Sequence, residues 1–105
     1  MKEVYIGKNV LIADRVFISD NLHGYENVAK PVQEQQSVFK NPVRIGAGSW
    51  IGVNAAVIGA EIGKNCVIGA NAVVTKDVPD YCVVAGIPAR IIRRFNEEKG
   101  EWEKA

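Results

Sequence analysis

Residues 45–74 read IGAGSWIGVNAAVIGAEIGKNCVIGANAVV, and the fold turns on how that stretch repeats. Ile45, Ile51 and Val57 stand six apart, and so do Ile62, Ile68 and Val74. Four positions after most of these comes a smaller or apolar residue: Ser49, Ala55, Cys66, Ala72, Val78. The tetrad Ile-Gly-x-Asn ends at Asn54, Asn65 and Asn71, and Gly48 stands where the Ile45 unit would carry its Asn. Gly and Asn are the residue types that tolerate left-handed backbone. A short strand and a tight corner every six residues account for the pattern; a 3.6-period helix or a plain period-2 strand does not. The stretch therefore predicts a parallel β-helix of triangular section, with three flat faces per coil.

Upstream, Ile6, Ile12 and Ile18 continue the period, Ile-Gly-x-Asn recurs at Asn9, and Phe39 falls six before Ile45. The phase slips twice. Ile18 to Ile45 is 27 residues, which extrudes a loop over about 23–37, and Ile51 to Ile62 is 11, which tightens a corner near Gly59. The loop, HGYENVAKPVQEQQS, is polar and aperiodic, and loops of that length in compact domains usually serve function. Pro88 suits the first turn of a helix. Ile91, Ile92, Phe95 and Trp102 could line one face of it, so a C-terminal helix is expected after Gly86-Ile87. Residues 1–87 are read as the β-helix, 88–105 as helix and tail. The remaining chain makes about four coils, some 19 Å tall at a strand spacing of about 4.8 Å. So short a solenoid buries little on its own; oligomerisation follows, and a triangular prism favours a threefold assembly.

Composition agrees. The chain has 15 Val and 11 Ile but 2 Leu, and β-branched residues favour strands. Its 105 residues make one small domain with a net charge of +1, which argues against a nucleic-acid binder. No apolar run approaches the length of about 18 residues that suggests a spanning helix, so no membrane insertion is expected. Met1-Lys2-Glu3 leads straight into strand-like sequence, so no secretory leader is expected. Cys66 and Cys82 make no disulfide framework, which points to a reduced, cytoplasmic setting.

His23 is the one histidine in the sequence. Imidazole titrates near neutrality, at about pH 6.5, and is the natural general base there. At the mouth of a functional loop it is the first candidate for catalysis. Asp20, three residues earlier, could accept a proton from the other ring nitrogen or serve only as a corner. One histidine excludes a three-His zinc site, and the cysteines lack metal-ligand spacing, so no metal is expected. No nucleophile elbow, Walker loop or dinucleotide fingerprint is present. Direct transfer from a bound donor fits better than covalent catalysis.

The ladder resembles the left-handed β-helix acyltransferase superfamily. Asp20-Asn21-Leu22-His23-Gly24-Tyr25, Pro31-Val32, Gln35 and Val43 through Gly52 look like its sugar O-acetyltransferase branch. Gly69 through Pro79 and Ala85 through Arg90 look like that branch's C-terminal signature. The resemblance implies acetyl-CoA as acyl donor, held in a groove between subunits of a homotrimer. It implies His23 as base toward a sugar hydroxyl and Trp50 beside the active site. Val53 and Ala70 would meet the pantetheine arm. Thr75 and Lys76 would meet the nucleotide end, where Arg90 and Arg93 could add phosphate contacts. The acceptor would be a small sugar or oligosaccharide in surface-polysaccharide assembly. Two alternatives stand beside this reading: N-acetylation of a nucleotide-linked amino sugar, and a non-catalytic trimeric scaffold.

Overall fold

The computed structural model describes residues 3–105; Met1 and Lys2, and the reading placed on them, lie outside the described residues. The chain winds through three short strands per coil. The first coil is β1 (Val4–Ile6), β2 (Leu11–Ile12) and β3 (Phe17–Ser19), followed by an arm of β4 (Asn21–His23) and β5 (Ser37–Phe39). The second coil is β6 (Val43–Ile45), β7 (Trp50–Ile51) and β8 (Ala56–Ile58). The third is β9 (Glu61–Ile62), β10 (Val67–Ile68) and β11 (Val73–Val74). After it come β12 (Cys82–Ala85), β13 (Arg90–Asn96) and β14 (Glu101–Lys104).

Like strands of successive coils pair in parallel and make the three faces: β1-β6-β9, β2-β7-β10-β12 and β3-β8-β11. The six-residue period is why the aliphatics fall in register. Ile12, Ile51, Ile68 and Val84 line up on the second face, and Ile18, Val57 and Val74 on the third. Ile51, Ile68 and Val57 are wholly buried, each such side chain contributing about 1.5–3 kcal/mol. Asn9, Asn54, Asn65, Asn71 and Gly48 all take the positive φ that the corners demand. At Gly48 a Cβ would run into the Asn65 side chain of the next coil as well.

Three expectations are corrected. Val78 pairs with Ile62 and is 6% exposed, so it opens a fourth turn instead of filling a small-residue slot. The third corner thus shrinks along the stack, five residues from Val57 to Ile62 and four from Val74 to Val78. The prism has three full coils and the start of a fourth, against about four expected. Second, Phe39 belongs to the arm and is 44% exposed, not an inward rung.

Third, the segment after Pro88 is not a helix. β13 runs antiparallel to β12 and β14 antiparallel to β13. The physical reason is the edge. Strand β12 ends the parallel stack with a row of open N–H and C=O groups that a helix could not pair. Adjacent Ile91 and Ile92 favour extended backbone. Ile91 packs on the core, and Phe95 meets Trp102 edge to face across the hairpin, ring centroids 5.4 Å apart. Gly100, at φ +65°, and the Asn96 side chain, accepting from Lys99 N at 3.1 Å, close the turn.

Candidate active site

The arm leaves the prism where β3 ends. Ser19 and Asp20 are buried there. Asp20 accepts from Glu3 N at 2.6 Å and from Asn21 Nδ2 at 2.9 Å, and its carbonyl accepts from Lys40 N at 2.8 Å. The root of the arm is therefore tied to Glu3 through the Asp20 carboxylate and closed between its own two strands. Above the root, Asn21, Leu22 and His23 pair with Phe39, Val38 and Ser37. Gly24 N then donates to Gln36 O at 2.9 Å, and a Cβ on Gly24 would lie 2.6 Å from that oxygen. This close approach is why a glycine follows His23. At the tip, Gln35 Nε2 donates to Asn27 O at 2.9 Å and Lys30 O at 3.2 Å. A single 3₁₀ turn, Val32–Glu34, completes it.

His23 is exposed at the arm's mouth. Its Nδ1 lies 3.0 Å from the Gly24 carbonyl. A carbonyl only accepts, so Nδ1 carries the hydrogen, and in the neutral ring Nε2 is left with the lone pair. The tautomer-fixing contact thus comes from Gly24 and not from Asp20, whose carboxylate serves the arm's root. Asp20, expected beside His23 in catalysis or at a corner, here holds the root of the arm that carries His23. The ring borders a cavity of about 270 Å³ with Leu22, Tyr25, Val38, Phe39 and Lys40. Glu26 also lines it; its carboxylate accepts from Tyr25 N at 3.0 Å, which holds it below the usual carboxylate range. A wider, open cleft of about 760 Å³ lies at the hairpin between Tyr81 and Glu98 and contains none of the expected site residues.

The other expected residues occupy two further regions. Trp50, 49% exposed, stands on the outer side of the second face, in register with Leu11 and Val67. Arg93 is in register with Val83 on the same sheet, and Arg90 pairs with Ala85. Val53 and Ala70 are stacked at the corner between the second and third faces, where Asn71 N donates to Val53 O at 3.0 Å. Thr75 and Lys76 lie at the third corner, beneath the arm. Within one chain Trp50 stands on the second face of the prism, whereas His23 is carried by the separate β4–β5 arm. Lys40, half-buried, was not singled out from the sequence; a lysine ending a polar loop carries no spacing signal.

Among the described residues no group of three or more His, Cys, Asp or Glu could hold a metal ion. Cys66 and Cys82 are free and buried. No helix among the described residues is long and apolar enough to cross a membrane.

Known proteins share this repeat and this fold. Residues 42–76 match the family described as "Hexapeptide repeat of succinyl-transferase". WbbJ of Escherichia coli K12, provisionally named a lipopolysaccharide biosynthesis O-acetyl transferase, is 38% identical over 112 residues. That alignment covers 100% of this chain and 57% of WbbJ. The galactoside O-acetyltransferase of the same organism is 41% identical over 95 residues, 90% of this chain and 45% of that one. The chain thus spans about half the length of these curated relatives. A galactoside acetyltransferase solved in complex with coenzyme A superposes with a TM-score of 0.68 at 30% identity, covering 93% of this chain and 58% of that one. This repeat, this fold and these relatives identify the chain as a hexapeptide-repeat β-helix, similar to the acyltransferases that carry that repeat.

Proposed function

We propose that the protein is an acetyl-CoA-dependent O-acetyltransferase acting on a saccharide hydroxyl, with His23 as general base. The observation that carries the reading is the 3.0 Å contact from His23 Nδ1 to the Gly24 carbonyl, which leaves Nε2 basic beside a cavity. In the transfer, Nε2 takes the acceptor hydroxyl's proton as that oxygen attacks the thioester carbonyl. The carbon–sulfur bond breaks, the acetyl ester forms, and the departing thiolate takes the proton from the imidazolium, restoring His23. No covalent acyl-enzyme is needed. The relatives' names and the coenzyme A complex support donor and acceptor class.

The donor side is assigned to Trp50, Val53, Ala70, Thr75, Lys76, Arg90 and Arg93. Val53 and Ala70 present an exposed corner, and Lys76, Arg90 and Arg93 are exposed cations, which suits a polyphosphate ligand. The acceptor is a small sugar or oligosaccharide of surface-polysaccharide assembly. The protein works as a left-handed, cytoplasmic homotrimer whose donor groove lies between subunits. The separation of Trp50 from His23 on one chain, and the exposed apolar Leu11 and Trp50 in register, support that assembly. Light scattering at micromolar concentration is expected to give three chains; a monomer would contradict the shared groove.

The test of the reaction is His23→Ala with acetyl-CoA and a panel of sugars. We expect transfer to fall by about 10²–10⁴, the range for losing a general base, with the melting temperature retained because His23 is exposed. A variant at full rate would sink the assignment.

A further inference from the structure

The third corner is the irregular edge of the prism, and it is where the arm attaches. Lys40 is the last residue of the arm. Its backbone N–H closes the root on Asp20 O at 2.8 Å. Its side chain then runs back across the corner. The ammonium donates to Thr75 O at 2.7 Å and Ile58 O at 3.0 Å, and reaches Gly59 O at 3.4 Å. An ammonium has three N–H donors on a compact centre, and here three main-chain carbonyls from two successive coils converge on it.

The corner is shaped for that stem. Gly59 sits at φ +54°, and a Cβ there would lie 2.8, 2.9 and 3.0 Å from Lys40 Cδ, Cγ and Cβ. The five-residue step from Val57 to Ile62 makes the sharp turn, and Gly59 leaves the trough into which Lys40 fits. The same residue lines the cavity that His23 borders. It therefore touches the base's arm at one end and Thr75, on the donor side, at the other.

We propose that Lys40 is a positioning residue: its ammonium clamps the His23 arm onto the second and third coils and so sets the base over the donor corner. The catalytic half of this rests on the transferase reading above. Misplacing a reacting group by about 1 Å can cost about 10²-fold in rate, so a loosened arm is expected to show in turnover before it shows in folding.

The test compares the full chain with Lys40→Met, which keeps the stem and removes the three donors, and Lys40→Arg, which keeps charge but offers a planar fork. Amide exchange is read first, without substrate. In Lys40→Met the amides of Gly24, Lys40 and Asn41 are expected to exchange at least about tenfold faster, while those of Trp50 and Gly69 are unchanged. Transfer is read next, with kcat expected to fall about 10- to 100-fold and the acceptor KM to stay within about threefold. Lys40→Arg should fall between wild type and Lys40→Met in both readouts. Unchanged arm exchange overturns the clamp, whatever the activity. A loosened arm with kcat unchanged overturns its positioning role. A loosened arm in a chain whose wild type transfers nothing supports the clamp and sinks the transferase reading instead.

Discussion

Ile68, in the prism, and Leu22, in the arm, are both aliphatic residues in β-ladders, yet Ile68 is 0% exposed and Leu22 45%. Ile68 has a rung below it and a rung above it, Ile51 and Val84. Leu22 has a single cross-strand partner, Val38, itself 53% exposed. The prism is held by stacked burial. The arm is held at its root and along its ladder by hydrogen bonds, with little apolar surface removed from water. Stability and the candidate base therefore reside in different regions, which allows the base to be tuned without disturbing the core.

The contrast can be broken most forcefully at its two named residues. Ile68→Ala is expected to cost about 2–5 kcal/mol in denaturant unfolding, the range for truncating a buried Ile. Leu22→Ala should cost under about 1 kcal/mol and show instead in the His23 cavity that it lines. Equal costs would mean that the arm is part of the cooperative core.

A smaller effect sharpens the same contrast through pH. Burial pushes the thiols of Cys66 and Cys82 up, and both lie in the prism. A thiol whose folded pKa is raised adds stability that is complete below its unfolded value, about 8.5. That stability is lost as pH rises through the folded value. The melting temperature should therefore drop by a few degrees between about pH 8 and 10. Cys66→Ala should flatten part of the slope, whereas His23→Ala should leave it alone. A slope unchanged by removing the thiol would show that the prism's cysteines are not the titrating groups.

The prism was legible because its rule is written in residue types. An aliphatic must point inward every sixth residue, and a left-handed corner asks for Asn or Gly. Where other residues take that corner the signal vanishes: Arg15 and Tyr81 both adopt φ +56° and neither declares it. Val78 was misread because the third corner loses a residue at each step, so a fixed period assigns it the wrong slot. The hairpin was misread because Ile91, Ile92 and Phe95 satisfy a helical spacing and a strand equally well over so few residues. What decided it was the open edge of β12, a property of the assembled coils and of no local window. At the site, His23 stood out by type and place. Its partner is the carbonyl of Gly24, and main-chain groups leave no mark in composition. Lys40 is hidden for the same reason, since its partners are three carbonyls.

The reversal from β12 to β13 has a consequence beyond closing the core. A stack of parallel coils presents at its end the same hydrogen-bonding edge it uses internally, so one molecule could template the next and build a fibre. Here the direction flips, and the second face finishes on β14, four residues long and carrying Glu101, Glu103 and Lys104. A short, charged, antiparallel strand is a poor seed for another parallel rung. The hairpin thus acts as a chain terminator for end-on polymerisation at this end of the second face.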